Sequence, residues 1–164
     1  MAHHLTRHEQ RHVIFMLPMT QIAISFDTAN ITAASLADLL EAVGFGSSSA
    51  YLSISEFHGR FFCPGTVGVF AVHLDTRQLV GMARVFTDDV FTTYISELCV
   101  HPVFQKKGIG SGSLKAITER FGHTAIFADA FRANLSTFSK HGIAPKEKLI
   151  ACSRRPHLPN IVTH

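Results

Sequence analysis

Residues 67–121 constrain the fold more than any other part of the chain. Three apolar, strand-like segments follow one another there, at 67–74, 79–86 and 92–100. Asp75-Thr76-Arg77 and Asp88-Asp89 read as the turns between them. Connections this short cannot hold a crossover helix, so the three strands form an antiparallel meander. After Pro102 the period changes. Gly108, Gly110 and Gly112 lead into a helix whose apolar positions include Ile109, Leu114, Ile117 and Phe121. Gly122 closes that helix, and 124–128 reads as a short buried strand. A strand, a helix and a second strand within about thirty residues make one βαβ-like unit.

The other segments fit around this centre. Residues 21–26 alternate as a strand, and Asn30 or Thr32 caps a helix over 33–43, with Leu36, Leu39, Leu40 and Val43 at helical spacing. Gly44 and Gly46 end it. Residues 47–64 read as loop-rich, with a short helix around 52–57. A further short helix is expected over 135–141, ending at Gly142, and a last strand over 148–153. With 164 residues, 46% apolar and 16% charged, the chain suits one domain with a substantial core. That domain is expected over 13–153, between a flexible, histidine-rich terminus (1–12) and an irregular tail (154–164).

Several function classes are set aside by composition. Cys63, Cys99 and Cys152 are odd in number, widely spaced and without a CxxC pair, so neither a disulfide framework nor a zinc knuckle is indicated. The net charge of +3 comes from scattered Lys and Arg, unlike the dense patch of a nucleic-acid binder. His4, His8 and His12 recur at a spacing that could chelate a metal on a helix, but they sit in a tag-like terminus, and no metal is expected. No run of 18 apolar residues occurs, so no membrane span is expected. The apolar run 13–19 follows a basic start like a secretory leader, yet it is short and interrupted by Pro18. A cytoplasmic location is expected.

The chemistry is concentrated in Glu97-Leu98-Cys99-Val100-His101-Pro102-Val103-Phe104-Gln105-Lys106-Lys107-Gly108-Ile109-Gly110-Ser111. A strand leaves through a proline and a glycine-bearing turn starts a helix. Such a turn exposes unpaired N–H groups at the positive end of the helix, an anion site suited to a diphosphate. Gly108 and Gly110 leave room for close approach, and Lys106 and Lys107 add charge. A Walker A loop is excluded because no Lys-Ser/Thr pair follows the glycines. A Rossmann loop is excluded because Gly108, Gly110 and Gly112 do not have its spacing and the upstream meander is antiparallel.

What remains is Gln105-x-x-Gly108-x-Gly110 just after Val100-x-Pro102, with Leu79-Val80-Gly81-Met82-Ala83-Arg84 upstream. This pattern resembles motif A of the GNAT acetyltransferase superfamily and that family's "LVG-x-A-R" strand, and the resemblance covers residues 67–150. It implies an α/β (α+β) fold with a mixed, mostly antiparallel sheet of about six or seven strands, flanked by helices. The sheet would be splayed between the fourth and fifth strands, here 92–100 and 124–128. It also implies acetyl-CoA as cosubstrate. The backbone of Leu98, Cys99 and Val100 would pair with the pantetheine arm, and amides from Gln105, Lys106, Lys107, Gly108, Ile109, Gly110 and Ser111 would hold the diphosphate.

The catalytic groups are less clearly marked. Transfer of an acetyl group to an amine needs a proton acceptor, donors for the oxyanion and tolerance of a departing thiolate. Relatives often use a carboxylate or histidine near the central strand. Glu97 is the first candidate base, with pairing to Arg84 as the alternative, and His101 at the strand exit is the second. Relatives commonly carry a tyrosine acid in an "FY-x-K-x-GF" segment. Here Thr137-Phe138-Ser139-Lys140-His141-Gly142-Ile143 puts Phe138 at that position, leaving His141 as a substitute. Asn134 either contacts the cofactor or caps the helix. The expected function is acetyl transfer to a primary amine of a small molecule or peptide by direct attack in a ternary complex. A CoA-sensing module without turnover is the alternative, and a homodimer is plausible.

Overall fold

The computed structural model describes residues 15–17, 21–148 and 152–153. Strands β1 (Phe15–Met16), β2 (Ile22–Ser25), β3 (Thr66–His73), β4 (Leu79–Thr87), β5 (Thr92–Val100) and β6 (Ala125–Ala128) form one sheet in chain order. Neighbours from β1 to β5 are antiparallel. β5 and β6 are parallel, because α4 (Ile109–Phe121) carries the chain back across one face before β6 begins. The mixed, mostly antiparallel sheet expected from the sequence is therefore present.

Alternation along the strands divides the core in two. Val69 and Ala71 of β3 face α4 with Ile109, Leu114, Ile117 and Phe121. Phe70 of the same strand faces the opposite layer, with Leu36, Leu39 and Leu40 of α1 (Ala33–Ala42). These three leucines are at most 2% exposed. Burying each contributes about 1.5–3 kcal/mol, far more than the helix propensity of ten residues provides. Thr32, rather than Asn30, caps α1. Its hydroxyl accepts from the Ser35 N–H at 3.1 Å, and the Ser35 hydroxyl accepts from the Thr32 N–H at 3.0 Å.

Some expectations need correction, and others fall outside the described residues. No helix spans 52–57. Instead α2 (Ser48–Leu52) starts at a Ser47 cap, and α3 (Phe57–Phe61) follows Glu56, which adopts a left-handed conformation. The serine cap sets the first start, and Phe57 and Phe61 stack one turn apart in the second. β6 is not a buried strand: its residues alternate between exposed and half-buried, and Phe127 is 45% exposed. It lies at the edge of the sheet among the described residues, so one apolar face is left open. The strand expected at 148–153 lies largely outside the described residues, as do the flexible terminus and the tail. The helix expected over 135–141 is shorter: α5 (Leu135–Ser139) stops at Ser139, and a turn follows in which Gly142 takes a φ of +77° that suits a residue without Cβ.

Candidate active site

The turn from β5 into α4 is built by backbone shape. Pro102 starts a single 3-10 turn (Pro102–Phe104), Gln105 returns to extended backbone, and Lys106 and Gly108 take positive φ of 61° and 84°. Gly108 then stands as the N-cap of α4 with no side chain to satisfy the first turn. The first helical bond runs from the Gly112 N–H to the Gly108 carbonyl. The N–H groups of Ile109, Gly110 and Ser111 are thus left for an outside acceptor at the positive helix end. A Cβ on Gly110 would meet nothing within 4 Å, so that position opens onto free space. Lys107 folds back with its Nζ 4.9 Å from the centre of the Phe104 ring.

Two other glycines let the helix sit close to the sheet. A Cβ on Gly81 of β4 would lie 2.8 Å from Cγ2 of Ile109, and one on Gly112 would lie 2.6 Å from Cδ1 of Ile24. Gly81 belongs to the upstream motif, and its role is now physical: it makes room for the first turn of α4.

Among the described residues, β5 and β6 pair only from Thr92↔Ala125 to Ile95↔Ala128, after which β5 continues alone on that side. Tyr94 donates to Asp129 at 2.6 Å, clasping the two strands at the fork. That bond to a carboxylate, followed by burial, pushes the phenol above its ordinary value of 10.0. On the other side of β5 the His101 N–H bonds to the Val80 carbonyl. Strand alternation therefore turns the N–H and C=O of Leu98 and Val100 toward the gap left by β6. The Gln105 side chain already reaches the Val100 carbonyl, donating at 3.2 Å. Cys99 points its side chain into the α1 layer, and burial pushes its thiol up to about 12. A thiol buried in this way is poorly suited to carry an acetyl group.

The layer on the α1 side of the sheet holds the first base candidate. Glu97 accepts from Arg84 Nε at 2.7 Å and Nη2 at 2.5 Å, and from the Ser96 hydroxyl. Three of its roughly four lone-pair directions are thus occupied. Ser96 is the extra residue at a register shift between β4 and β5, which is what lets it reach its neighbour's carboxylate. The Arg84 guanidinium lies 4.1 Å from the centre of the Phe61 ring and 5.2 Å from that of Phe86. The Arg84–Glu97 pair anticipated as an alternative is formed. The aromatic sandwich around it was not legible, since Phe61 lies in the segment whose helices were misplaced.

The other candidates are dispersed. His101 Nδ1 accepts from the Val103 N–H at 3.3 Å, and its ring packs edge-on to Phe104. It also borders a shallow cleft of roughly 250 Å³ with Ser35, Asp38 and Arg77. His141 lies on the other side of the sheet, with Nε2 2.7 Å from the Ser111 hydroxyl. Burial, then Lys115 and Lys140, lower its pKa below the ordinary 6.5. Phe138 is buried in the α4-side core. Asn134 precedes α5, but its side chain makes no capping bond. Among the described residues no group of three or more His, Cys, Asp or Glu is arranged to hold a metal. Nor is any helix among them long and apolar enough to cross a membrane.

A sheet opened between two parallel strands, with an uncapped glycine helix start at the mouth, defines the acetyltransferase type of α/β fold. Residues 35–141 match the acetyltransferase (GNAT) family, and the chain belongs to that family. No curated protein matches the sequence. Solved structures agree on the fold. A probable acetyltransferase of unknown function from Staphylococcus aureus superposes with a TM-score of 0.66 at 17% identity, covering 83% of this chain and 99% of that one. An aminoglycoside acetyltransferase from a soil metagenome gives 0.62 at 16% identity, covering 83% and 95%. Glucosamine-6-phosphate N-acetyltransferase from Arabidopsis thaliana gives 0.61 at 14% identity, covering 80% and 97%.

Proposed function

We propose that the protein binds acetyl-CoA and transfers its acetyl group to a primary amine. The observation that carries this reading is the uncapped first turn of α4 beside the unpaired half of β5. Amides of Ile109, Gly110 and Ser111, with Gln105, Lys106, Lys107 and Gly108 around them, receive the diphosphate. Leu98 and Val100 pair through their backbone with the pantetheine arm, as an added strand would, while Cys99 between them turns its own N–H and C=O to Met82 of β4. Asn134 is carried forward as a further contact to the cofactor.

Reaction is direct. The amine nitrogen attacks the thioester carbon, the C–N bond forms, the C–S bond breaks, and CoA leaves as thiolate. One proton must leave the amine and one must reach the sulfur. The burial of the Cys99 thiol supports a ternary complex over an acyl-enzyme formed on that residue. Glu97 is the proposed proton acceptor, acting through its remaining lone pair or a water, with Arg84 fixing its orientation. His101 stands second, since its Nδ1 is engaged by the Val103 N–H. We place the reaction in the cytoplasm, with a small amine or peptide as acceptor and neither nucleic acid nor membrane as partner. A homodimer forms part of the proposal and is tested by sedimentation.

A second reading has its own support. Phe138 is 6% exposed and carries no hydroxyl, and Glu97 is already bound by Arg84 and Ser96. These features suit a CoA-binding module that does not turn over. Calorimetry with CoA tests binding, and thiol release from acetyl-CoA across an amine panel separates the two readings. Binding with no catalytic thiol release would select the second, and no heat with CoA would defeat both.

A further inference from the structure

The contact between His141 and Ser111 joins two elements far apart in sequence at the place where the diphosphate is proposed to sit. Ser111 is the third residue of α4, so its N–H and its hydroxyl both belong to the exposed first turn. His141 lies just beyond α5, in a turn where its N–H bonds to the Phe138 carbonyl at 2.9 Å and the Ile143 N–H bonds to the same carbonyl. The burial of Phe138 anchors that turn, which holds the imidazole against Ser111 at 2.7 Å.

A serine hydroxyl has one hydrogen to give. When His141 Nε2 is an acceptor, that hydrogen is committed to the imidazole, and the hydroxyl presents only lone pairs to an anion. When Nε2 carries a proton, in the neutral Nε2–H tautomer or in the imidazolium, the direction reverses: His141 donates to the Ser111 oxygen, and the serine hydrogen is released to the anion; only the imidazolium also turns a positive charge toward that anion. We propose that His141 is a positioning residue that acts through Ser111, so that binding of the CoA diphosphate draws a proton onto the imidazole. This rests on the CoA reading above.

The charges around His141 explain why the proton arrives with the ligand. From α4 it is faced by Lys115, and from its own turn by Lys140, and both add to burial in keeping it neutral. A diphosphate on the first turn of α4 opposes those lysines. The pKa of His141 in the complex then rises above its lowered value in the free protein. The balance is one imidazole and one solvent proton giving one imidazolium. The extra affinity is fully present below the free-protein pKa, which lies under 6.5, and is lost as pH rises through the higher value in the complex.

Calorimetric titration of coenzyme A into the full chain, in two buffers of different ionisation enthalpy near pH 6.5, counts the protons taken up. The difference between wild type and variants isolates His141 from the ionisation of CoA's own phosphate. His141→Gln, whose amide is a permanent donor to Ser111, is expected to bind within about threefold of wild type without the extra proton. Ser111→Ala is expected to weaken binding about three- to tenfold and to reduce the proton uptake, because the hydrogen bond that favours the imidazolium is gone. A purely structural contact would lower the thermal midpoint of the variants and leave the proton count unchanged. Equal uptake in wild type and Ser111→Ala, or none in wild type, overturns the proposal even if His141→Gln fails to fold. If wild type shows no heat with CoA, the binding reading itself falls, and this inference falls with it.

Discussion

The two sides of β5 are built by different means. Toward β6 and α4, the surface is main chain: unpaired amides of α4, outward-turned groups of Leu98 and Val100, and glycines at 108 and 110 that leave space. Toward α1 and α3, it is side chain: an arginine between two phenylalanine rings, fixed by a carboxylate and a serine hydroxyl. A surface of amides can grip a phosphate in any chain that traces the same path. A surface of side chains is particular to this sequence. The first is therefore shared across the family, and the second is where this chain can differ from its relatives.

The largest test of this contrast is Glu97→Gln, which keeps an acceptor for Arg84 and removes the carboxylate. If Glu97 receives the amine proton, kcat is expected to fall by about 10²–10⁴-fold with little change in CoA affinity. A fall in thermal midpoint with unchanged kcat would assign the pair to structure alone. Phe138→Tyr probes the missing hydroxyl. The side chain is 6% exposed in an apolar cluster, so a loss of about 1–3 kcal/mol in chemical denaturation is expected, with no gain in rate. A higher rate would show that the hydroxyl reaches the sulfur after all.

Gly110→Val tests the main-chain surface. Its Cβ meets no protein atom, so the cost to stability is limited to that of a β-branched residue at a helix start. Affinity for CoA is expected to fall at least about tenfold, or about 1.4 kcal/mol, by equilibrium titration. An undiminished affinity would move the diphosphate elsewhere. The smallest effect is expected at the tip of the β4–β5 turn. There Asp88 accepts the N–H groups of Val90, Phe91 and Thr92, and these bonds hold its carboxyl below the ordinary 3.8. Its contribution is present above that ordinary value and fades as pH falls through the lowered one. Asp88→Asn should reduce the acid-side slope of the thermal midpoint slightly and leave CoA binding unchanged.

Sequence reading reached these two surfaces unequally for a physical reason. The meander, α4 and its glycines were legible because short turns and a shift from period two to 3.6 leave marks within a few residues. Arg84 and Glu97 were legible as a possible pair because they face each other across adjacent strands. The rings that enclose Arg84 were not. Phe61 lies on a five-residue helix whose start depends on Glu56 in a left-handed conformation, and no local pattern announces that. The link between His141 and Ser111 spans thirty residues and depends on how α5 docks, which spacing does not encode. β6 was expected to be buried because its residues are apolar. Its position at the edge of the sheet among the described residues is a property of topology, not of composition.

The bare spot at Gly81 ties this protein's scaffold to its grip on the ligand. Because Ile109 rests directly on that backbone, anything bulkier there would act as a shim and tilt the neighbouring amides away from β5. Mutational drift at one position of a buried strand would thus reach the proposed diphosphate turn as well as the packing of the sheet.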